Sequence, residues 1–66
     1  MLNSMSRPAV YASMIRRYGL RTVVAVAIEE IDNLCREENL SEYIREQALK
    51  QCKKDMRLAL EELRVH

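Results

Sequence analysis

The sequence has few of the residues that interrupt regular secondary structure or cross-link a small fold. It contains one glycine, one proline and two cysteines, and it has no tryptophan or phenylalanine. A β-sheet domain needs turn residues between its strands, so this scarcity argues against an all-β fold. The abundant residues, among them alanine, leucine, glutamate and arginine, are strong helix formers. Since 48% of the residues are hydrophobic, the chain is also too apolar for a disordered segment, and we predict an all-α fold.

Cysteine and histidine are too scarce for a disulfide framework or a metal centre. Cys35 and Cys52 allow at most one bridge, and the one histidine is the last residue, His66. A structural zinc site takes four nitrogen or sulfur ligands, and disulfide-stapled domains carry several bridges. We therefore expect two unpaired, buried or half-buried cysteines in a reducing, cytoplasmic location, and no metal or other cofactor.

Long apolar runs are also missing, and the longest spans six residues, 23–28. A membrane-spanning helix needs about 20 apolar residues and a secretory signal about 7–15, so we expect neither a membrane span nor a secretory signal. The first 28 residues contain four arginines and no acidic residue, as a mitochondrial transit peptide does. Removing them would delete the apolar run, so we favour a structural role for this segment.

Hydrophobic periodicity divides the chain into three helices within a single small domain. The pattern predicts helices over residues 8–18, 21–38 and 42–64, preceded by an unpatterned end at 1–5. At 66 residues, such a domain is marginally stable alone, and oligomerisation is one of the usual ways to stabilise it.

Several residues are candidates for the helix ends. Ser6 is the candidate N-cap of the first helix, Thr22 that of the second, and either Ser41 or Asn39 that of the third. Gly19 lies where a left-handed residue often ends a helix. We favour a break at Gly19 over a helix that continues through it at a cost of about 1 kcal/mol.

The second and third predicted helices match each other as antiparallel neighbours, which their short connection favours. When the chain is folded about residue 40, apolar residues meet in layers: Leu20 with Leu60, Val24 with Met56, Ile28 with Cys52, and Ile31 with Leu49. On the second helix this seam contains Leu20, Val24, Ala27, Ile28, Ile31 and Leu34, and it leaves out Val23, Val26 and Cys35. We expect a short N-terminal helix followed by an antiparallel helical hairpin.

The apolar run covers more of its helix than one partner helix buries. A surface helix of a small monomer has a single apolar stripe, whereas this run is apolar most of the way round for nearly two turns. We expect a homo-oligomeric helical bundle, with a dimer favoured, whose interface contains Val23, Val24, Val26, Ala27 and Ile28. The alternative is a three-helix monomer in which the first helix alone covers the run.

Charge is strongly segregated along the chain, although the net charge is only +1. Residues 29–47 contain seven acidic residues and two arginines, and residues 48–66 contain five basic and three acidic residues. The basic N-terminal part contributes the candidate partner-binding residues Arg7, Arg16, Arg17 and Arg21. Arginine clusters bind acidic protein surfaces or nucleic-acid phosphates. The competing interpretation is that they pair internally with Glu29, Glu30, Glu61 and Glu62.

No catalytic constellation is present. The adjacent glutamates point about 100° apart on a helix, and the chain has neither a Ser/His/Asp set nor a glycine-rich phosphate loop. The residues around Gly19 loosely resemble a helix-turn-helix. We reject this interpretation because the recognition helix would be apolar and acidic, whereas base reading needs arginine, asparagine, glutamine or lysine on the exposed face.

We therefore expect a non-enzymatic interaction module. It would act as a regulatory or adaptor protein, work as a homodimer and bind another macromolecule, most readily an acidic protein. The alternatives are a nucleic-acid-binding regulator that uses the arginines, and a subunit of a larger assembly without a stable free form.

Overall fold

A computed structural model describes residues 6–65, apart from the side chain of Val65. It contains three helices, α1 (Arg7–Tyr18), α2 (Leu20–Glu37) and α3 (Glu42–Val65), and no strand within the described range. The all-helical prediction is confirmed for this part of the chain. The unpatterned end at 1–5 lies outside the described residues.

Side-chain caps fix where α1 and α3 begin. The Ser6 hydroxyl accepts a hydrogen bond from the Ala9 N–H at 3.3 Å, and Pro8 occupies the first turn of α1, where no N–H is needed. The Ser41 hydroxyl accepts from the Ile44 N–H, also at 3.3 Å. Ser6 therefore caps α1 as expected, and Ser41 provides the cap of α3.

Asn39 instead helps to end α2. Its φ of 56° lies in the left-handed region, which asparagine tolerates better than most residues. The reversal lets the Leu40 N–H donate to the Cys35 carbonyl at 2.8 Å, the bond that closes a Schellman-type helix end. This turn places the start of α3 close to the end of α2.

Gly19 breaks the chain between α1 and α2. Its φ of +92° and ψ of 151° are not helical, and residues with a Cβ rarely adopt such a positive φ. The Gly19 N–H still donates to the Ile15 carbonyl at 2.8 Å, and its carbonyl accepts from the Val23 N–H at 3.2 Å. The expected break is therefore present. The proposed Thr22 cap was wrong, because α2 already begins at Leu20 and has no side-chain cap.

The buried core is small and lies where all three helices meet. It contains Ala12 and Ile15 of α1, Val23 of α2, and Met56 and Ala59 of α3. Among the described residues no large side chain is fully buried. Because α3 contacts α1 more extensively than it contacts α2, α1 is a central part of the fold.

The buried stripe of α2 differs from the predicted seam. It runs along Val23 and Cys35, which are buried, and along the predicted seam residues Ala27 and Ile31, which are half-buried. The predicted seam residues Leu20 and Leu34 are 41% and 54% exposed, whereas Val23, expected outside the seam, is 2% exposed. The reason is that α2 packs against both α1 and α3, so its buried face is rotated toward α1. On α3 the residues of the predicted layers are all buried or half-buried: Leu49, Cys52, Met56 and Leu60.

An ion pair joins α2 to α3 near the connection between them. Arg45 Nε donates to Asp32 Oδ1 at 2.7 Å, and Arg45 Nη1 lies 3.0 Å from Glu42 Oε2. The hydrogen bond to Asp32 raises the pKa of Arg45 above its usual value. The bond to Asp32 joins the two helices near their connection, and the bond to Glu42 lies within α3 and holds the Arg45 side chain in place. Farther along, α2 and α3 border an open groove.

Candidate interaction surfaces

Three of the four candidate arginines gather at the break between α1 and α2. Arg16 and Arg17 lie in the last turn of α1, and Arg21 is the second residue of α2. All three are exposed, and none forms an ion pair with another described residue. We call this set the arginine corner. The competing interpretation, internal pairing with glutamates, is not observed for these three arginines within residues 6–65.

The start of α2 adds positive potential to the arginine corner, while the negative dipole end of α1 lies beside Arg16 and Arg17 in its last turn. The first turn of α2 contains no acidic residue, so the positive end of its helix dipole is not offset. Its first amide N–H groups also have no side-chain acceptor. The Arg17 guanidinium lies 5.9 Å from the centre of the Tyr18 ring, and this tyrosine is 58% exposed. The corner thus combines cationic groups, free N–H donors and an exposed aromatic ring.

Arg7 does not belong to this corner. It is nine residues before Arg16, which is about 14 Å along a helix axis. Its Nε lies 3.3 Å from Asp55 Oδ2 of α3. Arg7 therefore has an internal partner, and the four arginines predicted to act together occupy two separate places.

Arg7 and Asp55 border a groove of about 490 Å³, whose lining also includes Ile31 of α2 and Ile44 of α3. The Tyr11 hydroxyl lies 3.7 Å from the Cys52 thiol in this groove. Burial raises the pKa of Tyr11, and the hydrogen bond to Cys52 raises it further. Gln51 Nε2 donates to Asp55 Oδ1 at 3.1 Å. These contacts satisfy one another, so we interpret the groove as a structural network that joins α1 to α3.

Sequence reasoning missed Asp55. This residue is 5% exposed, and it is the one buried polar or charged residue in the described range. A signal was present, because Asp55 lies three residues after Cys52 and four before Ala59, on the buried stripe of α3. An acidic residue at such a position predicts a basic partner, although the pattern does not say which one.

A second groove lies between α2 and α3 and is mostly apolar. It has a volume of about 350 Å³ and is lined by Val24, Ile28, Leu49, Cys52, Lys53 and Met56. We call it the apolar groove. Its lining residues come from α2 and α3, and Ile28 is 41% exposed at its edge. Sequence reasoning placed Val24 and Ile28 in an interface but did not include the α3 residues.

The five residues predicted to form one interface have different surroundings. Val23 is in the core at 2% exposure, so it contributes almost no accessible surface. Ala27 packs against the same core. Val24 and Ile28 line the apolar groove, whereas Val26 is 45% exposed on another side of α2. Only a part of the apolar run is therefore available to a partner.

The two cysteines are free, with Cys35 buried and Cys52 half-buried, as expected. No group of three or more metal-ligating side chains occurs within residues 6–65. In the same range, no helix is long and apolar enough to cross a membrane. Comparison with known proteins returned no matching family, no similar curated protein and no similar solved structure.

Proposed function

We propose that this protein is a small non-enzymatic interaction module whose arginine corner binds an acidic surface of another macromolecule. The observation that carries the proposal is the set of three exposed arginines without ion-pair partners in the described chain. Arginine forms planar, bidentate contacts with carboxylates. The uncapped start of α2 adds N–H donors beside them.

A protein is the favoured partner. The net charge is only +1, and the acidic stretch at 29–47 would be repelled by a long phosphate backbone. An acidic helix or loop needs only a local cationic patch. Such a module would act as a regulator or adaptor, because its effect comes from occupying the partner surface rather than from chemistry.

The active form is proposed to be a homodimer in which α2 and α3 form an antiparallel helical hairpin. The Asp32–Arg45 bond and the apolar groove shared by Val24 and Met56 support this arrangement. Many large apolar side chains are more than a third exposed, among them Leu20, Val26, Ile28, Leu34, Ile44 and Leu58. A second copy would cover some of this surface and would present two arginine corners on one particle.

The exposed Tyr18 ring favours a second candidate function, nucleic-acid binding. Single-stranded nucleic acids bind proteins that combine cationic side chains with exposed aromatic rings, on which the bases stack. Tyr18 and the neighbouring Arg17 provide both groups at one place.

The test compares two probes and two triple variants. Binding of a fluorescent polyglutamate peptide and of a fluorescent single-stranded oligonucleotide is measured by anisotropy at several salt concentrations. Replacing Arg16, Arg17 and Arg21 by alanine should weaken peptide binding at least about tenfold. Replacing Lys54, Arg57 and Arg64 removes the same charge from α3 and should change it far less.

The outcomes separate the candidates. Equal peptide affinities for the two triple variants would refute a role of the arginine corner beyond net charge. Tighter binding of the oligonucleotide than of the peptide, with affinity falling steeply as salt rises, would instead establish the nucleic-acid function.

A further inference from the structure

We infer that two copies of this protein exchange their first helices, so that α1 of each chain packs against α2 and α3 of the other. Gly19 is the hinge of this exchange, and α1 and α2 join there into one continuous helix. The inference rests on the homodimer part of the proposed function and assigns the contact that joins the two copies. It is supported by the backbone hydrogen bonds at Gly19, by the surface that α1 covers and by the charges around the hinge.

The hinge between α1 and α2 is a single residue. The first helix ends at Tyr18 and the second begins at Leu20. The Gly19 N–H donates to the Ile15 carbonyl at 2.8 Å, and the Gly19 carbonyl accepts from the Val23 N–H at 3.2 Å. Both bonds join residues four positions apart, as in an uninterrupted α-helix. The backbone therefore departs from a helical path only through the dihedral angles of Gly19, whose φ is 92°.

The break leaves complementary backbone groups without partners on its two sides. In the described chain the N–H groups of residues 20–22 have no acceptor, and the carbonyls of residues 16–18 accept no backbone hydrogen bond. In a continuous helix each of these N–H groups donates to the carbonyl four residues before it, so the three donors match the three acceptors. Helical dihedral angles at Gly19 would thus add three hydrogen bonds and keep the two that already exist. The added bonds offset the low helix propensity of glycine.

The surface that α1 covers shows what takes its place in a straightened chain. Ala12 and Ile15 of α1 form the core together with Val23, Met56 and Ala59, and the last three are at most 7% exposed. Straightening the chain at the hinge uncovers these three residues. The α1 of a second copy has the same sequence and offers the same contacts, as in other proteins that exchange an identical element. The structure itself therefore identifies the occupant of this surface, and a symmetric pair of chains covers both surfaces at once.

One ion pair fixes the register of the exchanged helix. Arg7 Nε, at the start of α1, lies 3.3 Å from Asp55 Oδ2 of α3, so in the exchanged dimer this pair forms between the two chains. Val23 and Ala27 belong to the core that α1 completes, and they then lie in the contact between copies. Both are residues of the interface expected from the apolar run. The apolar groove is not needed for this dimer.

Charge around the hinge opposes the exchange. Arg16, Arg17 and Arg21 lie within three residues of Gly19 and are exposed. In the continuous helix Arg17 and Arg21 are four residues apart, a spacing at which like charges destabilise a helix. The two hinges are also the segments that pass between the exchanged bodies, so they lie near each other and bring the two arginine corners together. Low salt therefore favours the closed monomer, and salt that screens the arginines favours the dimer.

Mixing two charge variants tests the exchange directly. Arg7→Glu and Asp55→Lys each place like charges at the contact between α1 and α3, both in the closed monomer and in a dimer of identical chains. In an exchanged dimer with one chain of each kind, both contacts carry opposite charges. Sedimentation and light scattering should therefore give a dissociation constant at least about tenfold lower for the mixture than for either variant alone. Copies that associate without exchange keep their own repulsive pairs and gain nothing on mixing.

Gly19→Ala tests the hinge independently. Alanine strains the closed chain at a φ of 92° and favours a continuous helix. Because the dimer has two hinges, its dissociation constant should fall about a hundredfold relative to the wild type. Ser13→Ala is the matched control, since this exposed residue lies inside α1 in both forms, and it should change the dissociation constant less than about threefold. At low concentration, where the closed monomer predominates, Gly19→Ala only loses stability.

Salt dependence tests the role of the arginines. The wild-type dimer should become several-fold tighter as the salt concentration rises. The triple alanine variant of the arginine corner should already form this tighter dimer at low salt and should lose most of the salt dependence. Replacing Lys54, Arg57 and Arg64 by alanine removes the same charge from α3 and should change the dimer far less. A wild-type dimer that weakens as salt rises would refute this role of the corner.

The outcomes separate this inference from the rest of the proposed function. Helical circular dichroism shows whether each variant is folded, and for a variant that is unfolded alone, recovery of the signal on mixing is evidence of the exchange. Monomers at every concentration, for the wild type and for Gly19→Ala, would overturn both the exchange and the homodimer. A dimer that gains nothing on mixing, or that is unaffected by Gly19→Ala, would overturn the exchange alone. Binding of the acidic peptide is measured on dilute, monomeric protein, so its loss would refute the arginine corner and leave the exchange standing.

Discussion

Arg7 and Asp55 link the first residue of α1 to the middle of α3. The guanidinium Nε lies 3.3 Å from Asp55 Oδ2, and the arginine side chain is 71% exposed while the aspartate side chain is 6% exposed. The carboxylate also accepts from Gln51. A buried carboxylate is costly without partners, so Arg7 compensates for the burial of Asp55 and holds α1 in place.

The first prediction concerns this ion pair. Arg7→Ala should lower the free energy of unfolding by about 1–2 kcal/mol, because it leaves a buried carboxylate with only the Gln51 hydrogen bond. Urea unfolding at a fixed protein concentration measures the change. In an Asp55→Asn background the same arginine replacement should cost clearly less, because no buried charge remains to be compensated. Equal costs in both backgrounds would show that the pair contributes nothing to stability.

The sequence was sufficient for the number of helices and for the layer residues of α3. On α3 one apolar stripe is bounded by charged residues, so the pattern indicates which side is buried. The capping residues Ser6 and Ser41 also act locally, through hydrogen bonds to residues three positions ahead. Local patterns of this kind are readable without knowing the rest of the fold.

The orientation of α2 was not readable in the same way. Between Val23 and Ile28 the helix is apolar on most sides, so several rotations bury similar amounts of apolar surface. The packing of α1 selects the rotation that buries Val23. The partner of Asp55 was equally hidden, since Arg7 is far away in the sequence and meets it only when α1 crosses α3. The separation of Arg7 from the arginine corner, by contrast, was readable, because the helix predicted over residues 8–18 places Arg7 at its start and Arg16 and Arg17 in its last turn.

The second prediction concerns Gly19. A Cβ at this position would meet no atom within 4 Å, so space does not restrict a substitution, but φ is +92°. Gly19→Ala should therefore lower the free energy of unfolding by about 1–2 kcal/mol through backbone strain alone. Ala25→Gly, at an exposed position within α2, is a control that should cost about 1 kcal/mol through helix propensity. A neutral or stabilising Gly19→Ala would indicate that α1 and α2 can join as one continuous helix.

The third prediction concerns the ionisation of Tyr11. Its pKa lies above the ordinary value of 10.0 because the ring is partly buried and its hydroxyl contacts Cys52. Since the folded state favours the neutral phenol, the resulting stability is present below the unfolded-state pKa and is lost as pH rises through the folded-state pKa.

Tyrosinate absorbance during an alkaline titration provides the measurement. The difference between the wild type and Tyr11→Phe isolates this one group, and its midpoint should lie above 10.0. In denaturant the midpoint should return to about 10. A difference curve with the same midpoint in the folded and denatured proteins would contradict the burial of this hydroxyl against Cys52.

The fourth prediction compares Val23 with Val26, which lie three residues apart in the apolar run but have different surroundings. Val23 is 2% exposed and Val26 is 45% exposed. Val23→Ala should lower the free energy of unfolding by about 2 kcal/mol, because it removes two buried methyl groups and leaves a cavity beside Ile15 and Ala59. Val26→Ala should change it by no more than about 0.5 kcal/mol. Both replacements gain the same helix propensity, so the difference between them reports burial alone. Urea unfolding of both variants at one protein concentration keeps any dimer contribution comparable. Similar losses at the two positions would mean that Val26 is also covered, which would place a second contact on the side of α2 away from the apolar groove.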